Sequence, residues 1–363
     1  MINDRNKTAF RRIALIAFFL LTAAQPARSF ETDQYSLPPE SLIDVGPEIS
    51  SWVYQNLKKA VAEAAPGTSE IELTSKLLHR LASCDIGVTV FNSSHVAGHC
   101  TSRFLEKTFR KRSTGVRRYV HIPSPSIYRW GTTPGALGWL YQDGFVDSDY
   151  FWRSFSGTIN VYGNIIGLDK IGHFLKLGRD YYRVYTEALA NGKSEQESEQ
   201  LAIDTIGVWH EQHLYGKLAS GIYSNADLSA NFAGLMLYKR LFKGATIWNV
   251  RYEPLLRMQE DGRWELSAEL DGLALLKPFL TPHLNEALNP NWFTGSKIEK
   301  LRAEITKRCD AWTSRFPERT ADDYEELART LRTWNGRDYG HQVQPGGAFT
   351  MGRLCYHSVT NLP

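Results

Sequence analysis

Three short runs near the middle of the chain set acids, imidazoles and amides at helical spacing, where a core-facing helix would carry apolar side chains. They are Asp169-Lys170-Ile171-Gly172-His173-Phe174, Trp209-His210-Glu211-Gln212-His213, and Ser224-Asn225-Ala226-Asp227 continuing to Asn231 and Gly234. Burying a carboxylate or an imidazole is costly unless it is paired, metal-bound or used in chemistry. Three such runs on successive segments therefore point to one shared polar site.

Asp169 and His173 stand four apart, one above the other on a helix face. In that position an Asp can fix an imidazole tautomer, or the two can share a metal. Asp180 and Glu187 extend the same stripe by seven-residue steps and suit solvent. Glu211 lies on a line with Gly207, Leu214 and Leu218, and a carboxyl among apolar neighbours is pushed toward the pKa of a general acid or base at neutral pH. Asp227, Asn231, Gly234 and Tyr238 share a third face, with the glycine permitting close packing. On this reading Glu211, Asp227, His173 and Asp169 are the catalytic candidates, while Asn231, His210 and Lys170 are candidates for binding substrate. His210 and His213 are three apart, so the tetrad is not the zinc-protease pattern His-Glu-x-x-His, and no residue is assigned as a dedicated metal ligand. Asp, His and Glu are nevertheless competent ligands, which leaves a divalent metal open as a cofactor.

The elements that must position these groups are mainly helical. Apolar spacing predicts a helical stretch over 40–65, divided or kinked at Gly46-Pro47, and a second helix from Ser69 to about Ser83. The polar-site helices occupy about 168–243: one from Leu168 to Ala190 closed by Asn191-Gly192, one from Ser194 to Ala219, and one begun by Ser224 with Asp227 at its third position. A small β-hairpin is expected around Glu260-Asp261-Gly262-Arg263, and helices over 296–315 and 321–334. Residues 119–150 are an irregular, aromatic-rich segment, read as a packed cap or a cleft wall. The expected architecture is one mostly α domain over 30–363.

Residues 1–29 read as a secretory signal peptide: a basic start (Arg5, Lys7, Arg11, Arg12), an apolar run Ile13–Ala24, and Ala27-Arg28-Ser29. Removing it takes five basic residues and one acid, so the net charge falls from +3 by four to −1. That withdraws the only global support for nucleic-acid binding, and leaves no transmembrane anchor after cleavage. The basic run Arg103–Arg118 reads as a solvated surface, or as a contact for an anionic envelope component. Four cysteines without a Cys-x-x-Cys favour disulfides in an exported protein, with Cys84–Cys100 and Cys309–Cys355 the neighbouring pairs among three connectivities.

The ordered set Asp169, Lys170, His173, Phe174, then Glu211, Gln212, then Ser224, Asp227, Ala230, Asn231, Gly234 resembles the VanZ-like family of bacterial membrane proteins and the related YfiM-like envelope lipoproteins. The resemblance spans about 165–240. It departs from the family in its charged interruptions (Lys176, Arg179, Asp180) and in lacking an Arg before the Ser. It implies a cell-envelope role without supplying a reaction. Two functions follow as expectations: a periplasmic or secreted hydrolase or transferase acting on an envelope glycan or lipid, or a non-catalytic binding or assembly factor whose polar cluster is structural. Neither a Gly-x-Ser-x-Gly nucleophile turn nor a phosphate-cradling glycine loop is present.

Overall fold

Proline fits the first turn of a helix, where its missing N–H would have no partner, and Pro47 sits there in α1 (Gly46–Ala62). The Gly-Pro pair therefore starts this helix rather than dividing a longer one, and Asp44, two residues before it, bridges to Asn160. The computed structural model describes residues 35, 37–38, 41–81, 158–213, 216–217, 222–266, 271–293 and 295–356. The leader, Cys84–Cys100, the basic run and the aromatic-rich segment lie outside the described residues.

Helix α2 (Glu70–Leu81) is opened by Ser69, whose hydroxyl accepts from Glu72 N–H while the Glu72 carboxylate accepts from Ser69 N–H. Such reciprocal caps contribute on the order of 1 kcal/mol. The hairpin β1 (Thr158–Val161) and β2 (Asn164–Gly167) leads into α3, a continuous helix of Asp169–Gly172, a π-helical stretch His173–Leu177, and Gly178–Ala190. It ends at Asn191-Gly192, with Gly192 left-handed at φ 82°. Helix α4 has the same build: Glu195–Ala202 with a Ser194–Glu197 capping box, a π-helical Ile203–Val208, and Trp209–His213. Strand β3 (Ile222–Tyr223) then delivers the chain to α5 (Asn225–Phe242), whose Ser224 cap accepts from Asp227 N–H at 3.2 Å.

Every residue of α5 from Asn225 to Leu241 is buried, so it is the axis around which α3, α4 and the loop 271–291 pack. Strand pairing exceeds the single hairpin expected. The expected pair, β6 (Leu256–Met258) with β7 (Trp264–Leu266), is joined by β1–β2, by β4 (Ala245–Ile247) with β5 (Val250–Tyr252), and by β3 with β8 (Trp292–Phe293). These are two-residue to four-residue pairings, too short to show the alternation a sequence reading needs. The C-terminal stretch expected as one helix is two, α6 (Gly295–Thr306) and α7 (Cys309–Arg315), followed by α8 (Ala321–Thr330). Cys309 and Cys355 are disulfide-bonded, tying α7 to the π-turn Gly352–Tyr356. Among the described residues no helix is long and apolar enough to cross a membrane.

The apolar core has two parts. The larger gathers α1, α2, α3 and α5 around Ile49, Phe174, Tyr182 and Leu235. The smaller gathers Tyr35, Ile222, Phe293, Trp312 and Tyr324. The chain passes from one to the other at Ile222–Tyr223 and again between Leu284 and Ala287. Ser224 and Glu286 belong to those two passages, and there the buried polar groups collect.

Two imidazoles line the larger core. His283 meets Thr281 Oγ1 and the Thr333 carbonyl, each at 3.0 Å, and stacks on Trp248. Burial pushes its pKa down to about 4, against the Thr333 bond. His341 stands edge-on to Tyr339, and burial, then the nearby Arg332 charge, push it down to about 4 as well. Both folded values lie below the unfolded 6.5, so their contribution is whole above about pH 6.5 and is lost as pH falls toward 4. The unfolding free energy from urea denaturation is expected to drop over that window, by on the order of 3 kcal/mol per imidazole at its lower end. The double variant His283→Gln/His341→Gln should show a flatter profile; equal slopes in the two proteins would refute the assignment.

Candidate functional site

Lys170 is the centre of the polar cluster. Its side chain is fully buried, and its ammonium lies 2.7 Å from Asp169 Oδ2, 2.5 Å from Glu286 Oε1, and in contact with Asp227 Oδ1. The ammonium donates to Asp169 and Glu286 and is ion-paired with Asp227, so three carboxylates surround it. The first turn of α3 brings Asp169 and Lys170, the N-terminal turn of α5 brings Asp227, and the loop after the 3-10 turn Pro282–Leu284 brings Glu286.

His173, one turn beyond Asp169, is the member of the cluster nearest solvent, with 11% of its side chain exposed. Its Nε2 faces Asp227 Oδ2 at 3.2 Å and its Nδ1 faces Asn231 Oδ1 at 3.2 Å. Asn231, buried inside a small-residue helix, thus finds a partner in the imidazole. Ser224 binds the acids together: its N–H donates to Glu211 Oε2 at 3.1 Å and its hydroxyl donates to Glu286 Oε1 at 3.2 Å.

Glu211 is held against bare backbone. A Cβ on Gly216 would fall on the Glu211 carboxylate and lie 2.6 Å from the Ile222 carbonyl, so this pocket needs the glycine. One turn before Glu211, a Cβ on Gly207 would collide with the Tyr181 hydroxyl and stand 2.7 Å from Leu228. That is the close helix approach its place on the Glu211 line implies.

The electrostatics divide the acids. Burial, reinforced by the Asp227 charge, raises the Glu211 carboxyl well above the usual range, against the Ser224 N–H bond. Burial likewise pushes Glu286 up, to about 7, with Lys170 opposing. Burial also raises Asp227, but the charges of His173 and Lys170 outweigh it and hold that carboxyl below its ordinary value. One cluster thus contains a carboxyl pushed up by burial and one held down by neighbouring positive charge, the kind of division that acid–base catalysis uses.

Of the residues singled out from sequence, Asp169, Lys170, His173, Asp227 and Asn231 are linked in one chain of contacts, and Glu211 joins them through Ser224 and Glu286. Lys170 is enclosed by carboxylates rather than presented to a substrate. His210 turns its ring against the half-exposed Trp209 at 5.5 Å, on the side of α4 that also carries His213. Asp180 and Glu187 do not continue the stripe: the π-helical stretch after His173 shifts the register, Asp180 pairs with Arg179, and Glu187 pairs with Arg183 at the surface. Glu286 was missed. It lies in Leu284-Asn285-Glu286-Ala287, within a Pro- and Asn-rich loop with no periodicity to set it apart. Among the described residues, Asp169, His173 and Asp227 form a group whose ligand atoms all lie within 4.8 Å of one another. No family model, curated protein or solved structure matches the chain.

Proposed function

We propose that this protein is an exported hydrolase or transferase of the cell envelope, working on a glycan or lipid through the Asp169–His173–Glu211–Asp227–Asn231 cluster. The observation that carries the reading is the contrast within one buried cluster between Glu211, whose carboxyl is raised by burial, and Asp227, whose carboxyl is held low by His173 and Lys170, with His173 the member nearest solvent. In hydrolysis, Glu211 gives its proton to the leaving oxygen as that bond breaks. Asp227 takes a proton from the attacking water, whose oxygen bonds to the scissile centre. One proton then passes from Asp227 back to Glu211, and the pair is reset. Asp169 and Asn231 fix the orientation of His173. The disulfide and the leader-like N-terminus support an oxidising compartment outside the cytoplasm.

The test is product release, by mass spectrometry, from fractionated envelope glycans and lipids incubated with the purified protein. Glu211→Gln keeps the shape and the Ser224 bond but removes the proton. It is expected to lower turnover at least about 100-fold while circular dichroism stays unchanged. Equal turnover in Glu211→Gln defeats the assignment.

A second reading has its own observation. Lys170, wholly enclosed by three carboxylates from three segments, is what a buried network that fixes helix register would contain. On that reading the protein is a non-catalytic envelope binding or assembly factor, and substitutions in the cluster change stability alone.

A further inference from the structure

We infer that Asp169, His173 and Asp227 form a binding site for one divalent first-row cation, with Asn231 as the group that orients its imidazole ligand. His173 Nε2 and Asp227 Oδ2 face each other at 3.2 Å. Two ligands bound at about 2.0–2.1 Å to a tetrahedral metal stand about 3.3 Å apart, so the observed separation is that of one edge of such a site. Asp227 is 1% exposed, yet neither of its carboxylate oxygens receives an aligned hydrogen bond. Lys170 contacts Oδ1, and Oδ2 is turned toward the imidazole.

The far side of the ring gives the second argument. Asn231 Oδ1 lies 3.2 Å from Nδ1, placed to accept the Nδ1 proton. In a neutral ring with the proton there, Nε2 turns its lone pair toward the carboxylate oxygen, and a cation between the two would be held by both. A ring nitrogen donating to an acceptor behind it is the usual way a metal-bound histidine is held. Asp169 supplies the third ligand atom within 4.8 Å of the others. One nitrogen and two carboxylate ligands suit zinc or manganese better than a soft cation. His173, at the rim, gives the ion its way in.

The inference concerns the same residues as the hydrolase reading and deepens it, but binding is measured without turnover. Untagged full-length protein, stripped with chelator, is titrated with zinc chloride and with manganese chloride by calorimetry. Retained metal is measured by elemental analysis after dialysis. Roughly one saturable equivalent per chain is expected for at least one of the two ions. His173→Gln should weaken uptake at least about 100-fold and Asn231→Ala by about 10- to 100-fold, while His213→Ala leaves it unchanged. Nitrogen-15 spectra of the imidazole should show Nε2 metal-bound in loaded protein and protonated at Nδ1 only. Should His173→Gln not fold, the wild-type titration and these spectra decide. An imidazolium protonated on both nitrogens after metal addition, no saturable uptake, or equal uptake in His173→Gln overturns the inference. Metal without turnover defeats only the hydrolase reading, and turnover in chelator-stripped protein defeats only the metal.

Discussion

Replacing Lys170 with methionine is expected to lower the unfolding free energy by about 3–5 kcal/mol at pH 8, the largest polar effect in the molecule. Methionine matches the length of the side chain, so packing is nearly conserved and the loss is electrostatic. Without the ammonium, Asp169, Asp227 and Glu286 remain buried without the charge that faces all three. The pH dependence identifies the cause. Glu286 is already pushed up to about 7 by burial with Lys170 opposing, and losing that opposition raises it further. A carboxyl whose folded pKa exceeds its unfolded value stabilises fully below the unfolded pKa, and that share disappears as pH rises through the folded one. The deficit of Lys170→Met relative to wild type should therefore be smaller at pH 5 than at pH 8. The acid losses at His283 and His341 occur in both proteins and cancel in the difference. Urea denaturation at the two pH values measures it. A deficit equal at both, or larger at pH 5, would mean that Lys170 acts through packing and not as the counter-ion of the three acids.

The sequence made most of this cluster legible because it lies on helices. Asp169 with His173, and Asp227 with Asn231, are four apart, and that spacing alone put each pair on one face. Gly207 and Gly234 marked where the helices approach one another. The legible part ended where periodicity ended. Glu286 sits in a loop, and nothing local distinguishes it from Glu260 or Glu269, two other acids of the C-terminal half. Its importance comes from contact with Lys170, 116 residues away. The π-helical stretches in α3 and α4 were hidden for a related reason. A π-turn adds a residue to the helical repeat without a composition of its own, so a stripe drawn at the α-helical angle ran past His173 to Asp180 when the real face turned away. The role of Lys170 was misplaced on general grounds, since lysine is seldom fully buried and a sequence reading favours solvent or substrate. The short strand pairs escaped notice because two or three residues carry no alternation.

Gly234→Ala is expected to cost about 3–5 kcal/mol, although alanine favours a helix interior over glycine by about 1 kcal/mol. The reason is the crossing of α3 and α5. A Cβ at Gly234 would press into the Phe174 carbonyl oxygen, and it would stand 2.8 Å from Gly178 Cα and 2.9 Å from the Phe174 carbonyl carbon. The same contact seen from the other helix puts a Cβ on Gly178 at 2.7 Å from the Gly234 carbonyl carbon and 3.1 Å from Leu235 N. All of these are backbone atoms, so no rotamer can make room and the helices themselves must separate. Phe174 adjoins His173, and Gly234 lies one turn beyond Asn231. Separation at this crossing therefore also loosens the contacts of His173 with Asn231 and Asp227. The variant should unfold at lower urea concentration, and its His173 side-chain resonances should move even under conditions where it is folded. If Gly234→Ala instead proved as stable as wild type, helix propensity would outweigh the contact. The two helices would then not meet backbone to backbone, and the geometry that draws the imidazole to its carboxylate would lose its support.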